Sequence, residues 1–421
     1  MVPVTMWQTL QRRPLTTYLL YRTLALTWAF APFQVYYLQR KGLSVADVFD
    51  LNVVFCIAAV AFEVPTGVYA DRAGRRVAMS WGGFVMSAAC ALFIFGSSFW
   101  AFALANVLCA LSMSLSSGAD SAYLYDHLVQ QRQSSTYARW EGWSTAAKGI
   151  GNLAAVLLGA AIYQWVHPAG VFVFTALLTA AAGVIARALP ERPGRHDGYV
   201  EDHLRRALRT LRNDVRLLTV VCFGALSFVL LRLSLFADQP HIESHLHGAW
   251  LSHTVLSMGL LAAAKEVGTI VVASGTGAIL ARARHRTIAV VLAVGLIAGY
   301  AVMGENRALP CTMTMVLVAS VFGLFSPLMR ALMNSLITSP RDRATLLSVE
   351  GMARRLLFAL VSPLFGRAVE ASSLHATFTG TAWLAGVSYV SLAVLGLLAF
   401  KLGSTSSPPA PASRSLASAA G

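Results

Sequence analysis

Charge is what this chain has least of. Only 12% of its 421 residues are charged, 19 of them acidic, and four are lysines. Soluble domains run near 25% charged, so most of this surface must face lipid or the inside of a bundle. No Gly-rich loop ending in Gly-Lys-Ser/Thr occurs, which argues against ATP hydrolysis. The five cysteines (Cys56, Cys90, Cys109, Cys222 and Cys311) sit in apolar stretches without metal or disulfide spacing and read as small core hydrophobes. No catalytic constellation or metal site is found at any one depth, so neither an enzyme nor a bound cofactor is expected. A cleavable signal peptide is not expected either. Met1 to Pro14 is polar and basic, and the first apolar stretch is long enough to span.

What is present is apolar length. Hydrophobic residues make up 56% of the chain, and mean hydropathy is +0.62. A bilayer core needs about 20 apolar residues per helix. Twelve such runs lie near 15–37, 45–70, 76–97, 99–125, 143–165 and 168–188, then near 217–237, 252–280, 287–304, 309–336, 346–369 and 376–400. The expected fold is an all-α integral membrane protein of twelve transmembrane helices in two pseudo-symmetric six-helix bundles. The bundles are assigned to residues 1–189 and 217–401. Between them, 190–216 reads as a linker with a basic amphipathic helix on an anionic leaflet, and the Ser/Pro/Ala-rich tail 402–421 reads as disordered.

The net charge of +14 has an address. Basic residues collect at the N-terminus (Arg12, Arg13), in the loops after segments 2, 4, 8 and 10, and in the linker. The other loops hold few: Arg40, Lys41 and Arg307. This is the positive-inside pattern, which places both termini in the cytoplasm of a bacterial inner membrane and leaves nucleic-acid binding without support.

The loop after segment 2 reads Gly67-Val-Tyr-Ala-Asp71-Arg72-Ala-Gly74-Arg75-Arg76. Its spacing returns 210 residues later as Gly277-Ala-Ile-Leu-Ala281-Arg282-Ala-Arg284-His285-Arg286. Repeats of this kind in membrane chains point to a duplicated bundle, an architecture used mostly by transporters. The first decapeptide resembles the signature loop of the major facilitator superfamily, and the second resembles its degenerate copy. Glu63-Val-Pro-Thr-Gly67, Ser117-Gly-Ala-Asp120-Ser-Ala-Tyr-Leu-Tyr-Asp126 and Arg343-Ala-Thr-Leu-Leu-Ser348 are similar to a prokaryotic branch of that family.

The resemblance implies two domains rocking about a central cavity. It also implies a gating role for Gly67, Asp71, Arg72, Gly74, Arg75 and Arg76, with Asp71 capping the start of segment 11 near Ala344–Thr345 when the protein opens outward. An anion beside a helix N-terminus is stabilised by about 0.3–1 kcal/mol, so the capping role is physically reasonable. The alternative is that these charges only enforce topology. Segment 5, Lys148-Gly149-Ile-Gly151-Asn152 and then Gly159, lacks the proline of the family's proton-linked drug exporters.

An ionisable side chain at mid-bilayer costs at least ~2.5–3.5 kcal/mol on insertion scales. With a rise of about 1.5 Å per residue, Arg22, Glu63, Asp120 and Lys148 all lie about 9–12 Å from the inner surface. They are expected to share one level, either as a coupling network or as a structural lock that neutralises four charges. Asp126, near the mouth, reads as a helix-end or gate residue. In the second half Arg232, Lys265, Arg330, Arg354 and Arg355 outnumber Glu266 and Glu350. Glu350 is expected to pair with Arg354 four residues on. Glu266 lies eleven residues before Gly277 and Glu63 four before Gly67, a two-turn offset that keeps the carboxylates on one face. Arg22, Arg232, Lys265, Arg330 and Arg354 are the cavity candidates, and paired arginines suit an anionic group.

The run His241-Ile-Glu243-Ser-His245-Leu-His247 reads as a solvated outer loop rather than a zinc site, and Pro32, Pro65, Pro327 and Pro363 read as helix kinks. Trp28, Trp143 and Trp250 read as interface anchors rather than stacking platforms.

The expected function is secondary transport by alternating access: monomeric, proton-coupled export of a small organic molecule, an efflux antiporter using an ion gradient. Glu63 or Asp120 is the first choice for titration, with Glu266 and Glu350 second. The alternatives are uptake or exchange of an organic anion, or a non-transporting sensor or assembly protein on the same fold.

Overall fold

A computed structural model describes residues 10–190, 209–245, 254–305, 307–337 and 343–405. Among them there is no strand; helices carry the whole fold. The first half contains α1 (Pro14–Ala25), α2 (Gln34–Arg40), α3 (Val45–Ala73), α4 (Arg75–Phe95), α5 (Phe99–Ser116), α6 (Ala119–Gln130), α7 (Tyr137–Trp165) and α8 (Gly170–Ala188). The second half contains α9 (Val215–Phe236), α10 (Asp238–His245), α11 (Thr254–Arg282), α12 (His285–Met303), α13 (Ala308–Ser320), α14 (Phe322–Leu336), α15 (Arg343–Ala371) and α16 (Leu374–Thr405).

Sixteen helices serve twelve segments because four segments are interrupted. Segment 1 breaks at 26–30 and segment 7 at Ala237, between α9 and α10. Segment 4 breaks at Ser117 and Gly118, segment 10 at Val321. The broken pairs, 1 with 7 and 4 with 10, are equivalent positions in the two halves, so the duplication extends to the backbone defects. Ten spans are long and apolar enough as helices to cross a membrane. The remaining two are the interrupted segment 1 and segment 11, whose helix α15 carries Arg343, Glu350, Arg354, Arg355, Arg367 and Glu370.

Local chemistry sets the helix ends. Ser44 and Asp47 form a reciprocal capping box at the start of α3, with bonds of 3.0 and 2.9 Å. Asp214 caps α9 by accepting from the amides of Arg216 and Leu217 at 2.9 and 3.2 Å. Small residues let the helices approach closely: Ser80 and Ser112 donate to the carbonyls of Gly183 and Gly82 at 2.8 and 2.7 Å.

Within the first half α3, α4, α5 and α8 pack together with α1 and α7; within the second α9, α11, α13 and α14 pack with α12, α15 and α16. Among the described residues the halves meet chiefly through two crossed contacts, α3 with α15 and α7 with α11, and α11 also touches the 3₁₀ turn Ala31–Phe33. These crossings are tight at the ends remote from the basic turns. There Gly366 lies against the Phe49 ring and Gly259 against Ala160. Glu370 accepts from the amide of Ala46 at 2.8 Å, and Arg367 pairs with Asp50 at 3.5 Å. At the basic face, by contrast, Gly67, Gly142, Gly275 and Gly277 have no atom near where a Cβ would stand. The tight glycine contacts between the halves thus lie away from the basic turns.

Several expectations need correction. Pro32 sits in the 3₁₀ turn Ala31–Phe33 between helices, whereas Pro65, Pro327 and Pro363 lie inside theirs. His241 lies in α10, not in a loop, and is fully buried with a ring nitrogen 2.8 Å from the Thr312 hydroxyl. The last helix runs to Thr405, four residues past the expected 401 boundary. Residues 201–208 of the expected linker helix, Trp250 and residues 406–421 lie outside the described residues.

Candidate functional site

The signature turn comes first because its backbone explains its sequence. Gly74 joins α3 to α4 at φ 101°, ψ 143°, a conformation open to glycine and strained for other residues. The equivalent Arg284 adopts φ −63°, ψ 132°, so the second turn does not need glycine. Beyond the turn Arg75 pairs with Asp126 of α6 at 2.6 Å, and Arg76 donates to the Leu189 carbonyl at 3.2 Å. The basic residues therefore clip α4 to α6 and to the end of α8. Asp71 and Arg72 are exposed, as are Arg282 and Arg284. No contact between Asp71 and Thr345 is found among the described residues.

The four charges expected at one level are divided between two settings. Arg22 and Asp120 form a buried ion pair inside the first bundle, with side chains 10% and 8% exposed. Gly118, at φ 83°, lets segment 4 break so that Asp120 falls in the first turn of α6, where the helix dipole favours an anion. Arg22 also donates to the Ser144 hydroxyl at 2.7 Å, and Ser121 donates to Glu141 at 3.0 Å. Glu63 turns the other way. It reaches the second bundle and pairs with Arg355 at 2.5 Å. Lys148 stands between Arg22 of its own bundle, its stronger charged neighbour, and Glu266 of α11, which lies beside Asn152. Arg22 and Asp120 thus stay paired within the first bundle, Glu63 leaves the expected four-member cluster for a link to the other half, and Lys148 stands between that pair and Glu266. The division has a physical reason: α3 and α7 face the other half at the crossings, whereas α1 and α6 do not.

The two links are related by the duplication. Segment 2 reaches segment 11 through Glu63 and Arg355; segment 8 reaches segment 5 through Glu266 and Lys148 with Asn152. In each, the carboxylate comes from the segment that carries the decapeptide or its copy.

The apparent basic excess of the second half is largely neutralised. Lys265 is buried in an ion pair with Asp238 at the start of α10. Arg354 pairs with Glu350 at 2.8 Å as its spacing predicts, and its guanidinium lies 5.7 Å from the Phe228 ring and 5.5 Å from the Phe325 ring. Arg232 lies over the Phe236 ring at 5.7 Å, and Arg330 is exposed. Among the described residues these last two arginines have no carboxylate partner.

Sequence reasoning missed Asp238, Glu141, Ser144 and Asn152. Glu141, Ser144, Lys148 and Asn152 stand at helical spacings of 3, 4 and 4, one stripe on α7, so periodicity carried that signal. Asp238 gave no such sign: it closes an apolar run and reads as the first loop residue until the chain is seen to continue as α10. Trp28 stacks on Phe30 and meets Phe55 edge-on, inside the bundle rather than at an interface; Trp143 is exposed.

Two crossed bundles of broken helices around buried charges define a helical multi-pass membrane transporter fold. The profile of the Major Facilitator Superfamily matches residues 19–362, and the chain belongs to that family. Among solved structures, a variant of the nucleoside transporter NupG is 12% identical, covers 92% of this chain and 99% of its own, and superposes with a TM-score of 0.79. Unaltered NupG is 13% identical over 94% and 99%, with a TM-score of 0.73. A bacterial homologue of the human lysosomal transporter Spinster, inward-facing and occupied, is 17% identical over 96% and 99%, with a TM-score of 0.66. At these identities the likeness concerns the fold. No curated protein matches the sequence.

Proposed function

We propose that this transporter moves a small organic molecule by alternating access, driven by a proton gradient, as a monomer in a bacterial inner membrane with its basic face in the cytoplasm. The observation that carries the reading is the Glu63–Arg355 ion pair at one crossing between the halves, with Glu266 near Asn152 and Lys148 at the equivalent crossing. Each joins a titratable carboxylate to the opposite bundle, so protonation would weaken the contact that rocking must alter. No cofactor or nucleic acid enters this scheme. Asp71 is assigned to the opposite state, in which the basic face closes and the carboxylate can reach the start of α15.

Export follows from the resemblance of the motifs. One observation favours the second reading, uptake or exchange of an organic anion: among the described residues Arg232, over the Phe236 ring, and the exposed Arg330 have no carboxylate partner. Proteoliposomes test the scheme. Efflux and uptake of a panel that includes a nucleoside, a cation and an organic acid are measured with and without a proton gradient. Gradient-dependent flux of at least one member is expected, with loss in Glu63→Gln. Flux indifferent to the gradient removes proton coupling, and absence of any flux favours a sensor or assembly role on this fold.

A further inference from the structure

Glu350 is a buried carboxylate used on one side only. It is 2% exposed, one oxygen accepts from Arg354 at 2.8 Å, and the other, Oε1, has no hydrogen-bond partner. Oε1 instead lies close to Gly224 of α9, beside Met329 of α14. An ionised carboxylate with a naked oxygen in such a setting lacks the bonds that normally offset desolvation.

Its surroundings carry an excess of positive charge. Arg354 interacts electrostatically with Arg355 and Arg330 as well as with Glu350. From α3 the facing group is Glu63, already paired with Arg355 at 2.5 Å. From α14 it is Arg330, which is exposed and also sensed by Tyr137 of the other half. From α9 it is Arg232, over Phe236. From α16 it is Tyr389, bonded to Ser227 at 2.8 Å. Arg232, Arg330, Arg354 and Arg355 thus share two carboxylates, Glu63 and Glu350, and leave two positive charges uncompensated.

We propose that Arg354 and Arg330 bind the carboxylate of a small organic anion, and that Glu350 takes up a proton on Oε1 when the anion binds. A proton on Glu350 removes the counter-charge of Arg354 and leaves its guanidinium edge free for an external carboxylate, which guanidinium groups accept bidentately. The incoming anion then stands where the Glu350 charge stood. Phe228 and Phe325, which flank Arg354, offer an apolar wall to the rest of the molecule. Anion and proton affinities rise together by linkage, as co-transport of the two requires. This inference rests on the proton-coupled reading above and deepens its second form, uptake of an organic anion, since co-transport down an inward proton gradient runs inward.

The full chain in detergent tests it with benzoate, whose ring and carboxylate match the two chemistries. Calorimetry in buffers of different ionisation heat is expected to show uptake of one proton per benzoate bound, and an affinity that falls by up to about tenfold per pH unit where Glu350 titrates. Glu350→Gln, whose neutral amide imitates the protonated acid, should bind benzoate independently of pH and without proton uptake. Arg354→Gln should lose binding while keeping its cooperative melt, and Arg330→Gln should weaken it. Benzoate binding without proton uptake overturns the proposal, as does retained uptake in Glu350→Gln, or no binding by wild type and Glu350→Gln alike. If binding fails while a proton gradient still drives flux in liposomes, only this inference falls. If benzoate binds with proton uptake while flux ignores the gradient, the transport scheme falls instead.

Discussion

At the residue scale the two halves show which features of a repeated motif are structural. Gly74 is held at φ 101°, and its counterpart Arg284 is not, so the loss of glycine from the second copy follows from backbone conformation. Gly74→Ala is expected to destabilise the protein by about 1–3 kcal/mol, the usual cost of forcing a side chain into such a region, whereas Arg284→Ala should leave the melting temperature in detergent nearly unchanged. Equal melts for both variants would contradict this reading of the turn. The Arg22–Asp120 pair raises a different question, that of a lock against a coupling site. Breaking a buried pair on one side costs about 3–5 kcal/mol, while replacing both partners with apolar residues is often neutral. Arg22→Met alone should therefore lower thermal stability sharply, and Arg22→Met with Asp120→Leu should recover most of it. If the restored double variant also transports, the pair is a lock; if it is stable but inactive, the pair takes part in coupling.

At the element scale the tight end of the crossing between α3 and α15 is made by a few close approaches. Phe49 fits against Gly366, and Asp50 faces Arg367 at 3.5 Å in the same layer. Cysteines introduced by Asp50→Cys and Arg367→Cys are expected to cross-link readily in this state and to stop transport until reduced. Failure to cross-link in any condition would place the closure elsewhere. Much of this scale was legible in advance. Apolar length and the placement of arginine specify the twelve segments, and the spacing of Glu350 and Arg354 specifies their pair. The breaks were not legible, since Leu26 to Phe30 and Val321 are as apolar as the helices around them. Nor were the partners across the halves. Depth along a helix follows from counting residues, but direction around the bundle depends on which helices cross. So Glu63, placed by counting at the level of Arg22 and Asp120, turns away from them to Arg355, while Lys148 stays beside Arg22.

At the scale of the whole molecule, duplication supplies two similar links instead of one, and they need not be equivalent. Glu63 meets a guanidinium directly at 2.5 Å, while Glu266 is held by the Asn152 amide with Lys148 nearby. The first is a charge pair whose strength depends on opposite signs; the second keeps a neutral hydrogen bond when the carboxyl is protonated. Rocking requires both crossings to rearrange, so the charge pair sets the larger part of the barrier that depends on protonation. Glu63→Gln should then shift the population toward the state with the basic face closed, lowering gradient-driven flux at least tenfold, a change of about 1.4 kcal/mol in the underlying balance. Reversal of the pair, Glu63→Arg with Arg355→Glu, should restore flux, because the link is remade with its signs exchanged. Glu266→Gln should cost less than Glu63→Gln, since Asn152 can still bond the amide. Flux ratios in proteoliposomes, together with the cross-linking yield at Asp50 and Arg367 in each variant, measure both effects. Equal losses in Glu63→Gln and Glu266→Gln, or no rescue by reversal, would show that the two crossings act as one unit rather than as a strong link and a weak one.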